Sequence, residues 1–150
     1  MKVLVQVVKR ASVSIDDRQA ASIGPGVLYF VGFTKGDNLD LIDKMIIKLL
    51  KLRIFADNEG KTNLSLDQVG GSILSVSQFT LYADVKGGNR PSFTRSLPGS
   101  ESQGLFHYFN SRLNALGYKV ETGVFGADMQ VSLINDGPFT IMIDSEELYG

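Results

Sequence analysis

Apolar and β-branched residues fill the start of the chain, Met1 to Val8, and polar and apolar residues alternate from Ser12 to Ile15. Both stretches predict strands. Ala20 to Ile23 predicts a third, leading into Gly24-Pro25-Gly26, a strong turn signal. Val27 to Phe33 is a nearly continuous apolar run, as expected of a central strand buried on both faces. The period then changes. Ile42, Met45, Ile46, Leu49 and Leu52 recur at helical spacing, predicting a helix over Asn38 to Leu52 with Asp37 or Asn38 as its cap. Lys44, Lys48 and Lys51 fall on its opposite, solvent face.

Asp57-Asn58-Glu59-Gly60-Lys61 is a turn, and Gly70-Gly71 interrupts the chain before a short strand, Ser72 to Phe79. Residues 84 to 100 are irregular, with Gly87, Gly88, Pro91, Pro98 and Gly99. A second helix is expected from Ser100, with Ser100 and Gln103 as a capping box and Gly117 just past its end. Its apolar stripe is Leu105, Phe109, Leu113 and Leu116. Three strands follow: Lys119 to Thr122, Met129 to Ile134, and Phe139 to Ile143. The fold class is α+β, with mixed or antiparallel sheets forming an open barrel-like roll and two main helices. The helices fall between groups of strands, which argues against a doubly wound parallel sheet.

Asn135-Asp136-Gly137-Pro138-Phe139-Thr140 inserts a Gly-Pro step between the last two strands. Proline cannot donate to a ladder, so within a sheet it marks an edge, a bulge or a break. One reading is a tight hairpin turn. The other is a rigid probe, poor in side chains, pointing out of a sheet. The dipeptide alone leaves both open.

The length suits one domain spanning residues 1–150. Apolar residues make up 43% and charged residues 21%, as in soluble globular proteins. Fifteen basic and sixteen acidic residues leave a net charge of −1, so nucleic-acid binding would need a local basic patch. No apolar run is long enough to span a membrane, and no secretory signal pattern opens the chain, so a cytoplasmic protein is expected. The absence of cysteine excludes disulfides, thiolate metal sites and a cysteine nucleophile. With His107 the only histidine, a histidine-rich metal site is excluded too. Any catalysis must use carboxylates, hydroxyls, backbone amides or the substrate itself.

Ser77-Gln78-Phe79-Thr80 places two hydroxyls and an amide at a strand end. Backbone N–H groups leaving a ladder there can stabilise an oxyanion; equally, hydroxyl residues at strand ends satisfy turns. Arg90-Pro91-Ser92-Phe93-Thr94-Arg95, with Lys86 before it, gathers cations and hydroxyls in a Gly-rich loop suited to phosphate, or simply to water. Lys9-Arg10 and Lys61 could extend that patch if the fold brings them near. His107 lies off the centre of its helix stripe and reads as a structural histidine. Asp84 and Asp136 follow the two motifs, but sequence separation cannot make them an acid pair.

Ser77-Gln78-Phe79-Thr80 together with Asn135-x-Gly137-Pro138-x-Thr140 resembles the signature pair of the D-aminoacyl-tRNA deacylases. Arg10-Ala11-Ser12-Val13, Arg53-Ile54-Phe55, Gly70-Gly71-Ser72, Arg90-Pro91-Ser92-Phe93 and Ala127-Asp128-Met129-Gln130-Val131 match in the family's order over almost the whole chain. The resemblance implies hydrolysis of the ester joining a D-amino acid to tRNA, with glycyl-tRNA as a further substrate. It implies no metal or other cofactor, and a homodimer with active sites at the subunit interface. Gly137 and Pro138, joined by a cis bond in these enzymes, would reach the partner's active site and reject L side chains with two carbonyl oxygens, braced by Asn135 and Thr140. Ser77, Gln78, Phe79 and Thr80 would floor the catalytic pocket. Thr80 as nucleophile competes with a ribose hydroxyl of the tRNA assisting water; the family and the scarcity of histidine and cysteine favour the latter. Phe125 and Met129 would hold the terminal adenosine, or else serve only as core residues, and Lys86, Arg90 and Arg95 would hold the acceptor stem. Two alternatives stand beside this. One is a relative with a trans Gly-Pro bond that edits L-alanine. The other is a non-catalytic nucleic-acid-binding module.

Overall fold

One strand organises the sheet. In the computed structural model, which describes residues 1–150, β1 (Lys2–Ile15) is continuous through what the sequence suggests are two strands. One edge of β1 pairs antiparallel with β8 (Gln130–Asp144). The other pairs antiparallel with β3 (Gly26–Gly32) along its first half and with β2 (Arg18–Ile23) along its second. β6 (Ser72–Ser77) adds parallel to β3, and β7 (Val120–Thr122) parallel to β6, completing a six-stranded mixed sheet. A separate two-stranded ribbon joins β4 (Arg53–Ala56) and β5 (Thr62–Ser65). The helices are α1 (Leu39–Lys51), α2 (Leu66–Val69), α3 (Gly99–Ala115) and α4 (Ser145–Tyr149). None is long and apolar enough to cross a membrane. The mixed sheet rolls up as expected, and the two long helices are those the pattern predicts.

Two buried clusters explain the roll. Val3, Val5, Val7, Tyr29, Val31 and Ile73 pack under α1 and α3, against Ile42, Met45, Ile46, Leu49, Phe109 and Leu113. Val8, Ala11, Val13, Ile23, Leu28, Leu74 and Val76 form the second, inside the roll. Odd-numbered residues of β1 therefore face the helices before Lys9 and the roll after it. Strand side chains alternate with a period of two, so this change of phase needs an extra residue. The register supplies it: Val8 pairs with Asn135 but Arg10 with Ile134, leaving Lys9 bulged.

Local chemistry sets most ends. Asn38 caps α1 by accepting the Leu41 N–H at 3.0 Å, with Asp40 in the first turn and Lys48 and Lys51 in the last. Asp16 and Asp17, at φ 50° and 61°, make the two-residue turn between β1 and β2. The capping box expected at Ser100 and Gln103 does not form. α3 begins earlier, behind Pro98, whose carbonyl accepts from the Glu101 and Ser102 N–H groups. Ser100 is thus already inside the helix. A capping box forms instead at Ser65 and Gln68, opening α2. The buried stripe of α3 is Ser102, Phe106, Phe109, Asn110 and Leu113, a rotation from the expected one that leaves Leu116 48% exposed. Gly117 does follow the helix, at φ 93°, in a Schellman closure: its N–H bonds to Asn114 O and that of Tyr118 to Leu113 O.

The Gly-Pro step is not a hairpin. Both halves of β8 run antiparallel to β1 in one direction, from Ser14↔Gln130 to Lys2↔Asp144. Gln6 pairs with Thr140 and Val8 with Asn135, so residues 136–139 of β8 stand opposite Val7 alone. The surplus leaves the ladder as a loop with Asp136, Gly137 and Pro138 exposed. The Gly137–Pro138 bond is cis.

Candidate active site at the end of β6

β6 hydrogen-bonds to β3 until the Gln78 N–H reaches Val31 O at 2.8 Å. The chain then turns through one 3-10 turn, Phe79–Tyr82. The first donors of a helical turn have no acceptor within it, so the N–H groups of Phe79 and Thr80 are presented outward at the strand end. Gly32 makes this close approach possible. A Cβ there would lie 2.8 Å from the Gln78 carbonyl oxygen. Beneath the turn, burial first and Asp37 second push the Tyr82 phenol well above its usual range, so it stays neutral.

A cavity of about 800 Å³ opens at this strand end, in the range of small-molecule sites. Ser77, Gln78 and Phe79 form one wall, and Phe125 and Met129, distant in sequence, form another. The fold thus unites the two groups. Gly123 makes room for Met129, whose Sδ lies 2.5 Å from where a Cβ would stand, and Phe125 rests 6.0 Å from the Phe106 ring. Thr80 is not part of the wall; its hydroxyl accepts a hydrogen bond from the Gln78 side-chain amide.

Phe93, Ser96 and Ser102 also line the cavity; the sequence offered Phe93 only as a member of the Arg90–Arg95 motif and did not single out the other two. The Phe93 ring sits 5.0 Å from that of Phe79, edge to face, and Ser96 Oγ donates to Phe79 O at 2.9 Å. An apolar residue in an otherwise polar loop was the available signal for Phe93. The loop is less irregular than its composition suggests: Asp84 and Ser92 exchange backbone hydrogen bonds of 2.8 Å, and Leu97 N–H bonds to Phe33 O.

Lys86, Arg90 and Arg95 lie on this loop, exposed and outside the cavity wall. None pairs with a carboxylate, and the Arg95 guanidinium stands 5.8 Å from the Tyr82 ring. Lys9 and Arg10 sit instead beside Ile134 and Asn135 of β8, and Lys61 pairs with Glu59 on the β4–β5 turn. His107 is exposed, 3.4 Å from Ser111 Oγ.

Gly137, Pro138, Asn135 and Thr140 do not line their own chain's cavity. They form a clasp. Asn135 Nδ2 donates to Val7 O at 2.9 Å and to Phe139 O at 3.0 Å, and the Thr140 hydroxyl donates to Asn135 Oδ1 at 3.0 Å. Gln6 joins from β1, its amide donating to Thr140 Oγ1 at 3.1 Å. A lone amide among the valines of β1 was its signal in the sequence.

Known proteins share this fold. Residues 4–144 match the family described as D-Tyr-tRNA(Tyr) deacylase. A D-aminoacyl-tRNA deacylase of Listeria innocua is 50% identical over 148 residues, covering 99% of each chain. One from Thermomicrobium roseum is 53% identical over 150 residues, covering 100% of this chain and 97% of its own. Among solved structures, the c-Myc DNA Unwinding Element Binding Protein superposes with a TM-score of 0.91 at 38% identity, covering 96% of this chain and 98% of its own. A probable eukaryotic D-amino acid tRNA deacylase, 20% identical over 95% of this chain and 97% of its own, shares the fold with a TM-score of 0.81. The fold, the paired motifs and these matches together make the chain a member of the D-Tyr-tRNA(Tyr) deacylase family.

Proposed function

We propose that the chain is an aminoacyl-tRNA editing hydrolase in the cytoplasm, cleaving the ester between a D-amino acid and the terminal adenosine of tRNA. The observation that supports it most is the cavity at the end of β6, where Ser77, Gln78 and Phe79 face an apolar wall of Phe125 and Met129 and the chain turns to present the Phe79 and Thr80 N–H groups at the strand end. The amides receive the ester carbonyl oxygen as it becomes an oxyanion; one such donor contributes about 2.7–4 kcal/mol to the transition state. Phe125 and Met129 hold the adenine, as unpaired RNA ends are held. Lys86, Arg90 and Arg95 contact acceptor-stem phosphates. Water attacks the carbonyl carbon, assisted by the neighbouring ribose hydroxyl of the substrate. The C–O bond to the tRNA breaks, its oxygen takes a proton, and free amino acid and tRNA leave. A Thr80 nucleophile would need an activating base, whereas its hydroxyl is already bonded to the Gln78 amide.

The protein acts as a homodimer in which the 136–139 loop of each subunit enters the other's cavity. The Gly137 and Pro138 carbonyl oxygens face the substrate α-carbon there. A D side chain, or the hydrogen of glycine, clears them; an L side chain collides. The loop's exposure, its clasp and its absence from its own cavity support this arrangement. Because backbone does the excluding, the range of D side chains is broad, and glycyl-tRNA mischarged on tRNA-Ala is also cleaved.

The test is deacylation of D-Tyr-, L-Tyr-, Gly- and L-Ala-tRNA. Cleavage of the D and glycyl substrates only is expected. Hydrolysis of L-Ala-tRNA would point to an L-alanine editor, and binding without turnover to an RNA-binding module. Affinity should also fall steeply with added salt. A flat response would remove the three cations from the RNA contact.

A further inference from the structure

We infer that Gln6 is a positioning residue for chiral selection, acting on the Gly137-Pro138 loop through the Thr140 hydroxyl. The inference rests on the filter reading given above. Gln6 is the one amide among the valines of β1: Val5 is fully buried and Val7 5% exposed, both on the helix side, while Gln6 points the other way and is half-buried. Its position in the ladder matters. Gln6↔Thr140 is the last regular pair before the surplus residues of β8, and Val8↔Asn135 the first beyond them. Thr140 and Asn135 are therefore the two ends of the loop, and the Thr140 hydroxyl closes them with its 3.0 Å bond to Asn135 Oδ1. The Gln6 amide ties that closure to β1 at 3.1 Å.

The direction of the bonds is what makes Gln6 specific. A threonine hydroxyl has one proton to give. Asn135 already uses its amide hydrogens on Val7 O and Phe139 O, so its oxygen can only accept. The Thr140 proton must go to Asn135, and the group meeting Thr140 from β1 must be a donor. Glutamine has one; a glutamate carboxylate of the same shape has none, and competes for the proton instead. Asn135 still anchors the loop to Val7 O without Gln6, so removing Gln6 alters where the loop sits, not whether the chain folds.

Gln6→Glu and Gln6→Leu should each lower the ratio of D-Tyr-tRNA to L-Tyr-tRNA cleavage, through faster cleavage of the L substrate. The expected fall is about three- to tenfold, the worth of one net hydrogen bond. A residue that only stabilised the fold would slow both substrates alike and leave the ratio unmoved. Amide hydrogen exchange gives a second readout independent of turnover: the amides of Asp136, Gly137, Phe139 and Thr140 should exchange faster in both variants, with those of β3 unchanged. An unchanged ratio, or unchanged exchange in residues 136–140, overturns the role of Gln6. Failure of the wild-type protein to distinguish D from L substrates overturns the filter itself, and with it the role of Gln6 in selection; exchange then reports only whether Gln6 holds the loop.

Discussion

Replacing Gly32 by alanine tests whether β3 sets the position of the proposed oxyanion donors, the Phe79 and Thr80 amides. The new Cβ would lie 2.8 Å from the Gln78 carbonyl oxygen, 3.3 Å from Leu81 Cβ and 3.5 Å from Tyr82 Cδ2. Ordinary contact begins at 3.4 Å, so Gln78 must retreat by about 0.6 Å. It cannot do so alone. Its N–H is bonded to Val31 O, and its carbonyl accepts from Leu81 N–H within the turn. The shift therefore passes to the Phe79 and Thr80 amides. A misplacement of about 1 Å costs about 10²-fold in rate, so this one should cost about tenfold. Overpacking should also lower stability by about 1–3 kcal/mol.

The assay is single-turnover deacylation of D-Tyr-tRNA under saturating enzyme, with urea unfolding alongside. Gly71→Ala is the control. Its Cβ would meet Leu66 Cδ1 at 2.6 Å and Gly26 Cα at 3.1 Å, a comparable clash at the opposite end of β6. It should lose stability without losing rate. A Gly32→Ala enzyme as fast as wild type, or a Gly71→Ala enzyme slowed as much, would refute the reasoning.

Thr80→Ala should keep at least about a tenth of wild-type turnover and show no trapped acyl-enzyme, since it loses one hydrogen bond and not a nucleophile, whose removal costs about 10⁴-fold or more; quench-flow with labelled amino acid decides between them. Phe109→Ala should cost about 3–5 kcal/mol in urea unfolding, because the ring is fully buried and edge-on to Tyr29 at 6.3 Å. Gly104→Ala should instead stabilise by about 0.5–1 kcal/mol, since the position is inside α3, exposed, and has no atom within 4 Å of the new Cβ. The Asp57 carboxyl is held below the usual range, first by the Lys61 N–H and also by those of Glu59 and Asn63. A depressed carboxyl stabilises above its ordinary pKa of about 4 and loses that as pH falls through the folded value, so Asp57→Asn should flatten the loss of thermal stability between about pH 5 and about pH 2.

What could be read from the sequence follows the range of the interactions involved. α1 was legible because its stripe and its Asn38 cap lie within one short segment. The turn at Asp16-Asp17 was not, because aspartate adopts left-handed backbone only occasionally and signals it far more weakly than glycine. The start of α3 was misplaced because Pro98 ends the preceding segment and fixes the entry, so the Ser100 side chain is never at a cap. The continuity of β8 through Gly137-Pro138 was out of reach for a stronger reason. Whether the chain reverses there is decided by its partner β1, more than a hundred residues away. For the site, residues 77–80 and 135–140 were visible as motifs, and the resemblance linked them to Phe125 and Met129. Ser96 and Gln6 were missed because each acts through a distant backbone or hydroxyl group, and Phe93 because it acts through the distant Phe79 ring; no local pattern encodes such contacts.

The placement of the two motifs argues for how the work is divided. The cavity has donors, apolar walls and a single carboxylate, Asp128, but none of residues 135–140. The loop has two backbone carbonyls at an exposed tip and a clasp at its base, but no reactive side chain besides Asp136. Neither half suffices: a cavity of this size admits either enantiomer, and a carbonyl pair can exclude but cannot hydrolyse. In the proposed dimer a two-fold axis solves both problems with one contact geometry used twice, each loop filling the other subunit's cavity. β8 suits this arrangement, since one of its edges is fixed along β1 and no strand covers the other. Chiral selection then belongs to the assembled pair, while the oxyanion donors remain wholly within each subunit.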